Sequence, residues 1–201
     1  MVAVIDYDAG NTLSVMKAVS FLGDRAVLTD DRDVILGADR VILPGVGAFG
    51  DAVKSLNERH LTDVIKEAAE SGKPFLGICL GQQLLFEESE ESPGVKGLGI
   101  LEGKVLKIPD KEGLKVPQIG WNSLELSGNG RLFKNVKEGS FVYFVHSYYC
   151  HAADREVVKA SCEYGVTVDA SVEKGNVFGC QFHPEKSSDV GMSILTEFLR
   201  L

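Results

Sequence analysis

The sequence has few of the residues that cross-link a chain or anchor it in a membrane. Its four cysteines, Cys79, Cys150, Cys162 and Cys180, are widely spaced, form no Cys-x-x-Cys pair, and accompany only four histidines. This spacing argues against a disulfide framework and against a zinc site, so we expect reduced thiols and no metal. No apolar run approaches ~18 residues, and the first residues lack the basic region of a secretory signal. We therefore expect a cytoplasmic protein that binds no membrane.

Basic charge is also scarce. The 201 residues include 21 Lys and Arg against 29 Asp and Glu, a formal net charge of −8. Proteins that bind nucleic acid normally carry a basic patch or stripe, and none is visible, so nucleic acid is not an expected partner. The glycine-rich phosphate-binding motifs of nucleotide-binding and dinucleotide-binding proteins are absent as well, and we expect no cofactor.

The first half of the chain alternates short apolar runs with amphipathic stretches. The pattern predicts strands over 2–5, 40–43 and 74–78, with one helix starting at Asn11 as its N-cap and another over 51–71. Strands that alternate with helices in this way form a mostly parallel sheet covered by helices.

The second half has a different period, because its apolar runs follow one another with little helix between them. We predict strands over 98–101, 105–108, 141–145, 157–162, 166–172 and 177–182, and a last helix from about 187 to 199. Close spacing of this kind is typical of antiparallel or mixed sheets. Since no linker or repeat interrupts the chain, we expect a single domain over 1–201, with an α/β core and a β-rich extension.

One candidate site is Cys79, in the segment Gly77-Ile78-Cys79-Leu80-Gly81. The segment follows an apolar strand and precedes a helical pattern, which is the arrangement of a nucleophile elbow with cysteine in place of serine. Glycines on both sides leave room for the strained turn, and a thiol at a helix N-terminus is favoured as the thiolate. The alternative is a buried cysteine that packs as a small apolar side chain.

A second candidate is the turn His183-Pro184-Glu185, placed directly after a predicted strand. Open α/β sheets hold their sites at the carboxyl ends of strands. A carboxylate two residues from a histidine can orient the imidazole and stabilise its protonated form. Taken alone this could be an ordinary turn before a helix, but together with Cys79 it supplies a nucleophile, a base and a group that orients the base.

A third candidate is the glycine-rich loop after the strand over 40–43, which contains Gly45, Val46 and Gly47. Glycines let backbone amides approach a ligand closely, although a tight turn between a strand and a helix would use them too.

These three motifs, in this chain order, resemble the class I glutamine amidotransferases. That resemblance implies a flavodoxin-like central sheet. Within the class, further segments are similar to the glutaminase subunits of imidazole glycerol phosphate synthases: Ile5–Tyr7, Ala9–Asn11, Leu85–Gly97, Gly120–Asn122, Tyr143–Tyr148 and His183–Ser187. The similarity spans nearly the whole chain. One departure is Asp8, where those subunits usually have a small residue.

The resemblance implies roles for the residues of the three motifs. Cys79 would attack the side-chain amide of glutamine and release ammonia, His183 would act as base and then as acid, and Glu185 would orient His183. The backbone amides of Leu80 and Val46 would stabilise the oxyanion. The resemblance also assigns the residues that bind glutamine: Gly47, Gln83, Glu91, His146, Ser147 and Tyr148.

The resemblance also implies a partner. Ammonia becomes ammonium in water at neutral pH and is then no longer a nucleophile, so it must pass directly to a second site. That site would lie in a separate (β/α)₈-barrel cyclase subunit, which forms a heterodimer with this chain in histidine biosynthesis. The cyclase would make imidazole glycerol phosphate and aminoimidazole carboxamide ribonucleotide. In the free glutaminase subunit, the Gly45–Val46 peptide would point its carbonyl into the oxyanion site.

Two alternatives stay open on the sequence. One is the glutaminase of another synthesis, such as that of anthranilate or pyridoxal phosphate. The other is a catalytically silent protein that binds a partner or senses redox state through Cys79. For Glu87, Glu88 and Glu90 we expect no more than a solvated acidic surface, and His146 could be a strand-end histidine whose hydrogen bonds are satisfied within the fold.

Overall fold

The computed structural model describes residues 1–201 as thirteen strands and six helices. The strands are β1 Val2–Ile5, β2 Ala26–Thr29, β3 Arg40–Leu43, β4 Phe75–Ile78, β5 Glu88–Ser89, β6 Gly103–Lys107, β7 Gln118–Ser123, β8 Glu125–Leu126, β9 Phe141–His146, β10 Tyr148–Ala152, β11 Val158–Glu163, β12 Thr167–Lys174 and β13 Val177–Cys180. The helices are α1 Thr12–Phe21, α2 Arg32–Gly37, α3 Phe49–Glu58, α4 Leu61–Glu70, α5 Leu80–Leu84 and α6 Ser188–Leu199. None of these helices has the length and apolar character needed to span a bilayer.

Eight strands form one central sheet in the order β2-β1-β3-β4-β13-β12-β11-β8. The pairs from β2 to β13 are parallel, and those from β13 to β8 are antiparallel. The sheet is therefore mixed in the way the sequence predicted: its parallel part comes mainly from the first half of the chain, and the antiparallel strands extend it.

The parallel strands are apolar along their whole length because helices cover both faces of the sheet. In β1, Ala3 and Ile5 join the apolar core under α2, α3 and α4, whereas Val2 and Val4 join a second core under α1 and α6. Strands β4 and β13 are likewise buried at every position. This rigid, dry centre holds the carboxyl ends of the parallel strands at one edge of the sheet.

Two small sheets stand outside the central one. Strands β10, β6 and β5 form the first, and β7 and β9 form a two-stranded antiparallel ribbon, the second. The ribbon buries Phe144 and His146 on one face. On the other face Ile119, Trp121 and Phe141 are 63%, 52% and 57% exposed.

The predicted helix over 51–71 is wrong in its extent, because two helices occupy the region. Helix α3 ends at Glu58 and α4 begins at Leu61, and between them His60 adopts the left-handed conformation, with φ 56°. The apolar periodicity runs on across this break, since both helices pack on the same core. Periodicity alone therefore did not reveal the turn.

The predicted strand over 98–101 is also wrong. Leu98 and Leu101 are buried, but their backbone amides donate to the carbonyls of Leu84 and Leu85 at the end of α5 instead of pairing with a strand. The apolar run therefore reflects packing and not sheet pairing. The sequence pattern also did not predict β2 and α2, which lie between the first helix and β3, because β2 is a half-exposed edge strand with a weak apolar signal.

The core under α6 offers a direct test of this packing. Phe198 is fully buried and lies edge-to-face against Phe178, with ring centroids 6.2 Å apart. Phe198→Ala is expected to lower the free energy of unfolding by about 3–5 kcal/mol, since it leaves a cavity that the sheet cannot fill. Phe21→Ala, at a side chain that is 80% exposed, is the matched control and should change it by less than about 0.5 kcal/mol. Urea denaturation measures both, and equal effects would contradict the assignment of this core.

Candidate active site

The site lies where four adjacent parallel strands end. Asn11 follows β1, Gly45 follows β3, Cys79 follows β4 and His183 follows β13. Because these strands are parallel neighbours in the sheet, their carboxyl ends meet at the same edge, where α/β folds hold their ligands. The backbone joins two of the ends directly, since the amide of Cys79 donates to the carbonyl of Cys180 at 2.7 Å.

Cys79 occupies a strained turn between β4 and α5. Its φ of 55° and ψ of −109° lie in a region that residues other than glycine rarely adopt. The flanking glycines make the turn possible. A Cβ on Gly77 would lie 2.6 Å from the carbonyl oxygen of Gly81, and a Cβ on Gly81 would collide with the carbonyl of Leu43. The close packing that the sequence pattern predicted around Cys79 is therefore present.

His183 and Glu185 form a buried pair. Nδ1 of His183 lies 2.8 Å from Oε1 of Glu185, and both side chains are almost completely excluded from solvent. Pro184 begins a short 3₁₀ turn that brings the carboxylate back towards the ring. One backbone and one side-chain hydrogen bond hold the turn: the amide of His183 donates to the carbonyl of Tyr143, and the hydroxyl of Ser187 donates to the carbonyl of His183.

The charges around His183 favour its imidazolium form. Burial by itself lowers the pKa of His183, but hydrogen bonds and charge interactions with Cys79 and Glu185 outweigh burial and raise the pKa to about 9. Nε2 of His183 has no other hydrogen-bond partner in the fold. The nitrogen that faces away from Glu185 is thus left for the thiol and for a reacting group.

Asn11 does not cap α1 as the sequence suggested. It has a φ of 72°, makes no side-chain cap to the helix, and instead donates from Nδ2 to Oε1 of Glu185 at 2.6 Å. Oε1 of Glu185 therefore accepts from Asn11 while it also faces Nδ1 of His183. Sequence reasoning missed the contact because it joins two residues that only the sheet brings together.

The glycine-rich loop turns a carbonyl towards Leu80. The carbonyl oxygen of Gly45 accepts a hydrogen bond from the amide of Leu80 at 3.3 Å, so this amide is already occupied. This is the peptide orientation expected for the free chain. A side chain at position 45 would collide with the hydroxyl of Tyr7, which itself donates to the carbonyl of Pro44 at 2.7 Å. The next glycine, Gly47, has a φ of 110°.

A cavity of about 280 Å³ opens beside Cys79. All of the residues predicted to hold the oxyanion or glutamine line it: Val46, Gly47, Leu80, Gln83, Glu91, His146, Ser147 and Tyr148. Pro117 and Val145, which the sequence did not indicate, complete the wall. The structure thus brings Cys79 and all of the predicted oxyanion and glutamine-binding residues to one cavity, whereas His183 and Glu185 are buried and do not line it.

The polar groups of this wall are held by hydrogen bonds. Nε2 of Gln83 donates to the carbonyl of Tyr148 at 2.9 Å, and Oε2 of Glu91 accepts from the amide of Phe49 at the start of α3, at 2.7 Å. His146 directs Nδ1 at the carbonyl of Tyr148, 2.9 Å away, and a carbonyl only accepts, so Nδ1 carries the proton. Burial and then the charge of His183 lower the pKa of His146 to about 4, which keeps it neutral.

Known proteins resemble this chain over nearly its whole length. The family model described as glutamine amidotransferase class-I matches residues 3–201. The chain is 52% identical over 202 residues to imidazole glycerol phosphate synthase subunit HisH of Bacillus licheniformis, and 50% identical over 198 residues to the subunit of the same name from Bacillus cereus. Each alignment covers 98% of this chain. It covers 95% of the Bacillus licheniformis subunit and 93% of the Bacillus cereus subunit. The chain belongs to the class I glutamine amidotransferases, in the HisH family.

The fold of this amidotransferase is also found in a solved structure of low sequence identity. A chain of the PurLQS structure from Thermotoga maritima superposes with a TM-score of 0.76 at 24% identity, covering 99% of this chain and 97% of that one. At this identity the likeness concerns the fold alone. The resemblance drawn from the motifs, and the mostly parallel sheet that it implied, are both confirmed.

The His183–Glu185 pair predicts how the stability of the native state depends on pH. Because folding raises the pKa of His183 from 6.5 to about 9, its charged form stabilises the native state fully below pH 6.5. That contribution is lost as the pH rises through about 9. Glu185→Gln is expected to lower the pKa of His183 towards 6.5, because the carboxamide removes a buried negative charge.

The measurement is a titration of the histidine rings followed by nuclear magnetic resonance. His146, which faces a carbonyl and no carboxylate, is the internal control and should stay near 4 in both proteins. A His183 resonance that titrates at the same pH with and without Glu185 would contradict the pairing.

Proposed function

We propose that this chain hydrolyses glutamine to glutamate and ammonia through Cys79, His183 and Glu185, and supplies the ammonia to the synthesis of imidazole glycerol phosphate. The observation that carries the proposal is the buried His183–Glu185 pair, which meets a cysteine in a strained elbow at the edge of a 280 Å³ cavity. The HisH name of relatives that are 52% and 50% identical supports the same reaction in histidine biosynthesis.

In the first half of the reaction the sulfur of Cys79 attacks the amide carbon of glutamine. The imidazolium of His183 then gives its proton to the departing nitrogen, so ammonia leaves and a thioester remains. In the second half, the neutral ring of His183 takes a proton from water, which attacks the thioester and releases glutamate. Glu185 stabilises the imidazolium that is present before the first proton transfer and forms again in the second, and it keeps Nδ1 protonated throughout.

The oxyanion that forms in each half needs hydrogen-bond donors. The amides of Leu80 and Val46 are our candidates, but in the free chain Leu80 donates to the carbonyl of Gly45 instead. Rotation of the Gly45–Val46 peptide would free the Leu80 amide and add the Val46 amide. One oxyanion donor is worth about 10²–10³ in rate, so the free chain should be a poor glutaminase. The partner would activate it by binding the rotated loop more tightly.

The cavity wall suits an amino acid. Glu91 is a carboxylate at the cavity that can accept hydrogen bonds from the α-ammonium group of glutamine. Gln83 and the backbone at Ser147 and Tyr148 supply further polar groups. Such groups recognise both ends of the substrate while the carboxamide reaches Cys79.

The exposed face of the β7–β9 ribbon is our candidate docking surface for a (β/α)₈-barrel cyclase subunit in a heterodimer. Its side chains Ile119, Trp121 and Phe141 are large, apolar and more than half exposed. Exposed apolar patches of this kind mark protein–protein interfaces, in which aromatic side chains often act as anchors. The ribbon also reaches the site, since Tyr143 of β9 binds the backbone of His183 and Val145 lines the cavity. A partner seated here would receive ammonia beside Cys79. We place this reaction in the cytoplasm, where the substrate glutamine is made.

The division of labour between the subunits predicts the behaviour of a nucleophile variant. Cys79→Ala, assayed in the complex with the cyclase, is expected to abolish synthesis from glutamine and to leave synthesis from added ammonium salts nearly intact. Cys180→Ala, at a buried thiol behind the site, is the matched control and should keep both activities. Loss of the ammonium-dependent reaction with Cys79→Ala would mean that Cys79 serves the fold and not the chemistry.

The docking surface predicts a second result. Trp121→Ala is expected to weaken cyclase binding by about 30-fold, as the loss of a central aromatic anchor does, and to raise the cyclase concentration needed for half-maximal glutamate release. The turnover rate at saturating cyclase should change little. Phe21→Ala removes an aromatic ring that is still more exposed, at the end of α1, and should have no effect. The same assay tests the oxyanion site. If the free chain releases glutamate as fast as the complex does, the Gly45 carbonyl does not block that site.

A further inference from the structure

A buried side-chain amide contacts the sulfur of Cys79, and no motif in the sequence drew attention to it. Gln181 follows β13 and is completely buried. Its Nε2 lies 3.7 Å from Sγ of Cys79, and its Oε1 lies 3.1 Å from Nε2 of Gln83. The side chain therefore connects the cysteine with a residue that lines the cavity.

The neighbours of Gln181 determine which end of its amide meets the sulfur. Nε2 of Gln83 also donates to the carbonyl of Tyr148 at 2.9 Å, and a carbonyl can only accept. The nitrogen of Gln83 must therefore face both Tyr148 and Gln181, so Gln181 turns its oxygen to Gln83. Its remaining group, an NH₂ donor, then points at the sulfur of Cys79.

A hydrogen-bond donor at this position affects whether the Cys79 sulfur is a thiol or a thiolate. Cys79 is only 6% exposed, so few water molecules can solvate a thiolate there. On the other side of the sulfur, Nε2 of His183 is left for Cys79, and the carbonyl oxygen of Val145 at 4.0 Å can accept from a thiol but offers nothing to a thiolate. The amide of Gln181 is a second hydrogen-bond donor to the charged form, beside the imidazolium of His183, and such a bond favours that form.

We propose that Gln181 is a positioning residue, whose amide, held by Gln83, orients the sulfur of Cys79 and stabilises its thiolate. The role rests on the proposed function, because it requires that Cys79 be the nucleophile. It also links the two halves of the site, since Gln83 can hold Gln181 only while its own side chain stands at the cavity wall.

The test uses the full chain in complex with the cyclase and two variants. Gln181→Met keeps the length of the side chain and removes the donor, whereas Gln181→Glu keeps the shape and places a carboxylate at the sulfur. The first readout is the pH dependence of alkylation by iodoacetamide. Burial raises the pKa of Cys162 and of Cys180 to about 12, and that of Cys150 further, so alkylation below pH 10 reports on Cys79.

We expect Gln181→Met to move the midpoint of alkylation upward by about one pH unit, which leaves about tenfold less thiolate at neutral pH. Gln181→Glu should move it further, because the carboxylate repels the thiolate. The kcat for glutamate release should fall by about tenfold at pH 7 and recover as the pH rises, with KM nearly unchanged. A purely structural role would lower activity at every pH and leave the midpoint where it is.

Gln118→Met is the matched control, since Gln118 is a buried amide on β7 that contacts Cys162 and not Cys79. It should leave the alkylation midpoint of Cys79 unchanged. Midpoints within 0.2 pH units of the parent in both folded Gln181 variants would overturn the proposal. Thermal unfolding establishes that each variant is folded, and the alkylation readout needs no turnover. An unmodified complex that releases no glutamate would instead refute the proposed function, so the two failures are distinguishable.

Discussion

The parallel pairing of β4 with β13 is the constraint on which the rest of the site depends. In this register Gly77 lies beside Gly179 and Ile78 beside Cys180, so the two chains leave the sheet together. The hydrogen bond from the amide of Cys79 to the carbonyl of Cys180 continues the pairing by one more residue. A slip in this register would separate Cys79 from His183 and from Gln181, because all three are held by the backbone at these strand ends.

Close backbone packing makes the elbow possible and leaves it little freedom. Gly77, Gly81 and Gly179 each sit where a Cβ would meet a neighbouring atom at less than 3 Å. The strained conformation of Cys79 persists because β4, α5 and the core around them hold it from both sides. By contrast, the loop at Gly45–Gly47 lies at the mouth of the cavity, with Val46 38% exposed. The cysteine is thus held rigidly, whereas the neighbouring loop is partly open to solvent.

Charge and hydrogen bonding shift the pKa values of the two histidines of the site in opposite directions. His183 is surrounded by groups that favour its charged form, namely Glu185 and the sulfur of Cys79, and its pKa rises to about 9. His146, a neighbour in the same site, faces a carbonyl and is buried, so its pKa falls to about 4. The same residue type is therefore favoured in its charged form at one position and is a neutral hydrogen-bond donor at the other. The β9 strand connects both, since it contains His146 and binds the backbone of His183 through Tyr143.

The elements that local chemistry specifies could be predicted from the amino-acid sequence. The glycines around Cys79, the rigid turn from His183 to Glu185 and the apolar runs of β1, β3 and β4 were readable, because each depends on neighbours in the chain. The sequence predicted helices α3 and α4 as one helix, because a single left-handed residue between them does not change the apolar periodicity. The run 98–101 was taken for a strand because packing against α5 and pairing in a sheet require the same apolar residues.

Which polar groups contact one another depends on the three-dimensional fold and could not be predicted from the sequence. Asn11, an expected helix cap, donates to Glu185, and Gln181, an unremarkable residue before His183, reaches the sulfur of Cys79. The orientation of the Gly45 carbonyl was likewise visible only once Leu80 stood opposite it. These contacts join residues that are distant in sequence, and their geometry depends on strand order and register. Local propensity carries no information about either, which is the physical reason that the structure had to supply them.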